Sequence, residues 1–265
     1  MIKLYNEDCF ETISRLNITK KPVDLILTSP PYNTGKYSTL QTARDNMDGK
    51  YDIYLDAKST DEYCDWCVDL FNKFDTILKK NGVILWNVSY GANSKVHKDN
   101  NALVWLSVAD IIRKTNFTVA DRIIWKKKSA LPNNVSANKL TRIVEDVFVF
   151  CRKDEYNTYN ANKEKTSVSK VGQQFYAPIY NFVEAKNNDG SCKLNKAIFS
   201  SELVTKLLSI YVPRDKNTLV YDPFMGTGTT AVGCVKYGVS CIGSELSEGQ
   251  TEFAKQRLEE LCIDR

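Results

Sequence analysis

Hydrophobic positions along the chain fall into two alternating patterns. Some segments are short unbroken apolar runs. In others, apolar residues return every three or four positions. Residues 23–28, VDLILT, are of the first kind and predict a strand buried on both faces. Ser59 and Glu62 then have the spacing of a capping box. Behind them Tyr63, Cys67, Leu70, Phe74 and Ile77 keep helical spacing, with Gly82 read as lying just past the helix end. Residues 83–88, VILWNV, predict a second buried strand, 103–113 a helix, and 118–125 and 144–151 two further strands. A strand at 218–222, a helix from about Thr229 and a strand at 239–245 follow. Ser247 and Gln250 cap a last helix that ends near Leu261. Strands alternating with helices predict an α/β fold, a mostly parallel sheet covered on both faces.

Two polar stretches interrupt this rhythm, residues 33–58 and 152–196. Each is too long for an ordinary connection. The second carries Tyr156, Tyr159, Phe175, Tyr176, Tyr180 and Phe182, which argues against simple disorder. A chain of 265 residues suits one such domain, spanning 1–265. No apolar run is long enough to cross a membrane, and the N-terminus lacks the apolar core of a secretion signal, so a cytoplasmic location is expected.

Composition sharpens the picture at two points. The net charge of +4 is concentrated: residues 122–142 hold six basic side chains and no acid. Lys126, Lys127, Lys128, Lys139 and Arg142 are therefore candidates to meet the phosphates of a nucleic acid, against the plainer reading of a solvated loop. The eight cysteines are scattered, and Cys64 and Cys67 sit inside the helical pattern. With one histidine in the chain and no second C-x-x-C, they are read as packing residues, and no metal site is expected.

The segment 219–230, LVYDPFMGTGTT, reads as strand, glycine turn and helix start. Gly226 and Gly228 permit close backbone approach to a ligand, and the helix start offers free N–H groups. Glu245, at the end of the next strand, can accept from ribose hydroxyls. Gly226, Gly228 and Ala231 also satisfy G-x-G-x-x-A, so a nicotinamide-dependent oxidoreductase is a rival. Against it, Asp222 places a carboxylate where a pyrophosphate would be repelled, and too little chain follows for a second nucleotide-binding half.

At the end of the first buried strand stands Thr28-Ser29-Pro30-Pro31-Tyr32. The prolines stiffen the turn and remove donors, leaving the Pro30 carbonyl as an acceptor beside the Ser29 hydroxyl. Tyr32 offers a flat face. Two acceptors and a ring suit methylation of a base amino group, whose lone pair is delocalised into the ring. The acceptors grip its two N–H bonds and stabilise the positive charge that develops.

With both motifs in view the chain resembles the DNA amino-methyltransferases, specifically the β group, in which the catalytic motif precedes the cofactor motif. The likeness covers nearly the whole length. It implies a doubly wound, mostly parallel, seven-stranded sheet of the S-adenosylmethionine-dependent, Rossmann-like type. Ser29, Pro30, Pro31 and Tyr32 are the implied catalytic residues. The implied cofactor set is Asp8, Cys9, Thr28, Asp222, Pro223, Phe224, Gly226, Gly228, Thr229, Thr230, Glu245 and Leu246, with Asp8 toward the adenine. Residues 199–210 resemble the helix before the cofactor loop, although Asn195-Lys196 and Phe199-Ser200 stand where the family has His-Pro and Phe-Pro. Residues 152–196 fall where the family reads its target, and 33–58 form a candidate mobile loop beside the catalytic turn. Double-stranded DNA with the target base flipped out is the implied partner, and a cognate restriction endonuclease is a second one the resemblance allows. Ser29, where adenine enzymes carry Asp, favours the N4 of cytosine over the N6 of adenine. A relative that binds nucleic acid without catalysis stays open. None of the seven prolines precedes a cysteine, so the nucleophile of cytosine-C5 methylation is absent.

Overall fold

A computed structural model of the chain describes residues 1–33, 58–89, 102–130, 132–134, 137, 140–190 and 199–263. In chain order the elements are β1 (Ile2–Asn6), α1 (Cys9–Ile18), β2 (Val23–Thr28), α2 (Thr60–Asp75), β3 (Leu78–Val88), α3 (Leu103–Lys114), β4 (Phe117–Lys127), β5 (Val144–Arg152), β6 (Lys165–Val168), β7 (Gln174–Tyr176), β8 (Phe182–Ala185), α4 (Ser201–Tyr211), β9 (Leu219–Asp222), α5 (Thr229–Tyr237), β10 (Ser240–Glu245) and α6 (Glu248–Ile263).

The main sheet runs β1-β10-β9-β2-β3-β5-β4-β8. It has eight strands, one more than expected, and the extra edge strand β8 comes from within the 152–196 stretch. Only β5 runs antiparallel to its neighbours. β2 buries apolar side chains on both faces because it is sandwiched. Val23 and Ile26 face a layer with Ile13 of α1 and Phe71 and Phe74 of α2. Leu25 and Leu27 face Leu203, Val204 and Leu207 of α4 and Ala231 of α5. Phe71 anchors the first layer, with Phe150, Trp86, Phe74 and Phe117 packed around it at ring separations of 4.8–5.6 Å.

The capping box forms as the spacing predicts: Glu62 N–H donates to Ser59 Oγ at 3.2 Å, and Ser59 N–H to Glu62 Oε2 at 2.8 Å. The helix it opens stops at Asp75, however, and Gly82 lies within β3. This corrects the reading of Gly82 as a helix end. The strand is irregular there, with Asn81 at φ +61°. A Cβ on Gly82 would come within 2.8–3.0 Å of the Leu78 side chain and the Asp24 carbonyl. Glycine is needed at this point for space, not for a turn.

The connection after β2 leads to β3 on one side, while β9 leads through α5 to β10 on the other. Neighbouring strands β2 and β9 therefore mark the point where the winding reverses, and a crevice opens beyond their C-terminal ends. Both sequence motifs leave the sheet at that crevice. Among the described residues, no helix is long and apolar enough to cross a membrane.

Candidate active site

The turn after β2 is held from below. Pro30 and Pro31 are buried, and the Pro31 carbonyl accepts the Tyr63 hydroxyl of α2 at 2.8 Å. The Pro30 carbonyl accepts nothing from a described residue, so the acceptor inferred from sequence is available. Ser29 Oγ lies 2.6 Å from the Tyr32 hydroxyl. That hydroxyl reaches Asn87 Oδ1 of β3 at 3.5 Å, and Asn87 Nδ2 donates to the Asp146 carbonyl at 3.2 Å and to Glu145 Oε2 at 3.4 Å. The chain has a direction. Because Asn87 donates with its nitrogen, its oxygen accepts from Tyr32. A Tyr32 hydroxyl that donates to Asn87 can accept from Ser29, which leaves the Ser29 oxygen able to accept in turn. Sequence reasoning passed over Asn87, although a polar residue inside the apolar run VILWNV was its signal.

The base of the stretch 33–58 is pinned. Asn33 is buried in the left-handed region at φ +53°. Its side-chain amide donates to the Lys58 carbonyl at 2.8 Å and accepts from the Lys58 N–H at 2.7 Å. Residues 34–57 lie outside the described residues.

Beside this turn lies the glycine loop after β9. Gly226 and Gly228 have φ of +54° and +81°, as a glycine turn requires. A Cβ on Gly228 would come within 2.7 Å of Ala254 Cβ on α6, so helix packing alone already forbids a side chain there. Glu245, half-buried at the end of β10, accepts from Gly226 N–H at 2.8 Å and Ser247 N–H at 2.9 Å. Asn6 of β1 donates to the Glu245 and Leu246 carbonyls at 2.9 Å, which brings the N-terminal motif against the same strand end. Asp8 is the N-cap of α1, accepting from Phe10 N–H at 2.8 Å. Cys9 is buried in the core, and burial pushes its thiol well up. Phe224 is half-buried with its ring 5.6 Å from Trp66, and Leu246 is exposed. Pro223, Thr229 and Thr230 are buried. Asp222 is fully enclosed, and burial pushes its carboxyl up to about 6 although hydroxyls of Thr230 and Thr28 and the Phe224 N–H pull the other way.

Two residues of this loop escaped the sequence reading. Thr227 Oγ1 is buried and has no hydrogen-bond partner. Arg257 of α6 donates to the Thr227 carbonyl at 2.7 Å and to Thr229 Oγ1 at 3.2 Å, and pairs with Asp189 at 3.1 Å. Thr227 stood in plain view between the two glycines. Arg257 had no signal, because α6 carries charge all round. An orphan hydroxyl, a turn of two glycines at positive φ and an anchored acid fit a nucleoside bearing an amino-acid tail.

The basic stretch looks different once folded. Lys126 pairs with Glu184 at 2.6 Å, Lys127 with Glu145 at 2.5 Å and Lys128 with Glu202 at 3.6 Å. Arg122 pairs with the buried Asp146 at 2.9 Å. Each acid comes from outside residues 122–142, so the excess seen in sequence is largely balanced in space. Lys127 turns inward to neutralise buried Glu145 behind Asn87. Arg142 is half-buried, and Lys139 lies outside the described residues.

The stretch 152–196 also needs trimming. Arg152 ends β5, and its guanidinium bonds Asp75 and the carbonyls of Asp75, Leu78 and Lys79. Glu155 is buried against it. At the other end Val183 and Ala185 of β8 are core. Between them stands the separate hairpin β6–β7, with Val168, Val171, Phe175, Tyr176 and Tyr180 exposed. Residues 191–198 lie outside the described residues. Cys64 and Cys67 are buried in the α2 core, the thiol of Cys64 pushed up to about 11 by burial. Among the described residues no group of three or more His, Cys, Asp or Glu could hold a metal.

Residues 23–256 match the model of the DNA methylase family of N6 and N4 methyltransferases. The chain is 24% identical to the type II methyltransferase M.BglII of Bacillus subtilis over 97% of its own length and 68% of that protein. Its fold is similar to the PvuII DNA methyltransferase, described as cytosine-N4-specific, with a TM-score of 0.70 and 18% identity over 97% of this chain and 86% of that one. It is also similar to M1.HpyAVI in complex with SAM, at a TM-score of 0.59 and 20% identity over 97% and 98%. The family match removes the oxidoreductase reading, and this chain belongs to the N6 and N4 DNA methylases.

Proposed function

We propose that this protein transfers a methyl group from S-adenosylmethionine to the exocyclic N4 of cytosine in DNA. The observation that carries the reading is the Ser29 hydroxyl, 2.6 Å from that of Tyr32, next in the chain to a Pro30 carbonyl that accepts from no described residue. These two oxygens accept the N–H bonds of a base amino group and stabilise the charge it acquires. The Tyr32 ring supports a base that has left the stack. S-adenosylmethionine, when bound, supplies an activated methyl. The glycine loop, Thr227, Glu245 and Asp8 are the residues that would hold it. A neutral hydroxyl at position 29, and the likeness to an enzyme described as cytosine-N4-specific, both favour cytosine.

DNA is read, on this proposal, by residues 156–181, whose exposed aromatics interleave with Lys163, Lys165 and Lys170. Lys126, Lys128 and Arg142 contribute phosphate contacts, while Lys127 serves the site from inside. A partner endonuclease of the same specificity would complete a restriction-modification pair. Incubation with labelled S-adenosylmethionine and mixed-sequence DNA, followed by nucleoside mass spectrometry, tests the reading. N4-methylcytosine is the expected product. N6-methyladenine as the only modified nucleoside would overturn the choice of base, and binding of both ligands without turnover would overturn catalysis.

A further inference from the structure

We propose that Asp222 is a positioning residue that locks the catalytic turn to the cofactor loop through Thr28 and Thr230, and is not a ligand of the cofactor. The inference rests on the methyl-transfer reading above. Asp222 is 2% exposed, and Thr28 and Thr230 are fully buried. Both its oxygens are engaged by the protein. Oδ1 accepts from Thr28 Oγ1 at 2.7 Å and from Phe224 N–H at 3.0 Å, and Oδ2 accepts from Thr230 Oγ1 at 2.5 Å. A carboxylate so enclosed presents no face to a small molecule.

Its place in the sheet explains the need. The ladder between β2 and β9 pairs Leu25 with Val220 and Ile26 with Tyr221, and stops there. Beyond that rung the ladder pairs no further residues of β2 with β9. The Thr28–Asp222 bond continues the seam by side chains. Thr28 immediately precedes Ser29, and Thr230 stands in the first turn of α5 behind the glycines. One carboxylate thus fixes the methyl-accepting turn against the methyl-donating loop. Burying an acid is costly, and an apolar residue would pack here more cheaply. What an apolar residue cannot do is hold two hydroxyls on separate elements at defined distances. Small misplacements of reacting groups cost large factors in rate.

Thr28→Val removes the link to the catalytic turn while keeping shape, and Thr28→Ser keeps the hydroxyl. Asp222→Asn keeps shape and the Oδ1 contacts to Thr28 and Phe224 but replaces the oxygen that accepts from Thr230, which breaks the link to the cofactor loop. On the wild-type background, kcat for DNA methylation and the equilibrium Kd for S-adenosylmethionine are measured for each. Thr28→Val and Asp222→Asn should lower kcat by roughly ten- to a hundredfold with Kd changed less than about threefold. Thr28→Ser should restore most of the rate. The double variant Thr28→Val/Asp222→Asn should lose little more than either single one. Retained kcat in Thr28→Val, losses that multiply in the double variant, or a Kd that rises in step with the fall in kcat would each overturn the clamp. Wild-type protein that never methylates DNA would refute the parent reading separately. The clamp is then decided by the same double-mutant cycle in urea unfolding, where a coupling below about threefold in the unfolding constant overturns it.

Discussion

The crevice over β2 and β9 and the hairpin β6–β7 solve opposite problems. In the crevice, polar side chains are buried and mutually bonded, as in the series Ser29, Tyr32, Asn87, Glu145, Lys127 and around Asp222. In the hairpin, every residue of β6 is exposed, as are Phe175 and Tyr176 of β7 and Tyr180 just after it. On the proposed reading, groups that meet a reacting atom are fixed by other residues of the fold, and groups that meet a variable partner are left exposed. The first arrangement makes side chains interdependent, and the second lets them change one at a time.

The sharpest test of this contrast is Ser29→Ala. Loss of a preorganised acceptor should reduce kcat by about 100- to 1000-fold, with S-adenosylmethionine binding and thermal stability near wild type. Retained turnover would mean the crevice is not the chemical centre.

Next in size is a pH effect on stability. The Asp222 carboxyl is pushed up to about 6 by burial, above the 3.8 of a free carboxyl. Between these values the folded state binds the proton more tightly than the unfolded state. Stability from this group is therefore greatest at low pH, falls as pH rises from about 4 to about 6, and is level above, a change on the order of 3 kcal/mol. The titratable groups facing it are Tyr221 on its own strand and Cys241 on β10, both held neutral by upward shifts. Urea unfolding of wild type and Asp222→Asn across this range should show the difference between them changing by that amount. Parallel curves would count against it.

For the hairpin, a Phe175→Ala/Tyr176→Ala/Tyr180→Ala variant should unfold within about 0.5 kcal/mol of wild type while losing DNA affinity or site preference by tenfold or more. A large stability loss with unchanged DNA binding would reverse the roles assigned to the two regions. Smallest is the expected effect of Lys126→Gln/Lys128→Gln. Exposed ion pairs contribute about 0–1 kcal/mol, so stability should barely move. The slope of log DNA affinity against log salt should fall by roughly 2. An unchanged slope would leave Glu184 and Glu202 as the whole business of these lysines.

What could be read from sequence follows the same division. Val23–Thr28 and the strand run at 83–88 were legible because burial on both faces demands mostly apolar residues, with Asp24 and Asn87 as the polar breaks. The capping box and the glycine turn were legible because their chemistry is local. β1, with its mixed burial, and β6 to β8 gave no pattern, since their residues are not selected by a single core face. Gly82 looked like a helix end because Lys79-Lys80-Asn81 before it mimics a polar turn. The pairing of Lys126, Lys127 and Lys128 was invisible because Glu184, Glu145 and Glu202 reach them only through folding. Asp222 was legible as a cofactor-loop residue, but its bonds to other side chains were not. Its enclosure depends on Thr28, nearly 200 positions away in the chain.

The amide clasp between Asn33 and Lys58 sets how this enzyme can vary. Asn33 and Lys58, 25 positions apart, are brought together by this pair of hydrogen bonds, which fixes the two ends of the chain between them. Doubling the length of such a loop adds only about 0.6 kcal/mol. With its ends held at fixed positions, a change of length between them adds little closure cost at Ser29, four positions before Asn33.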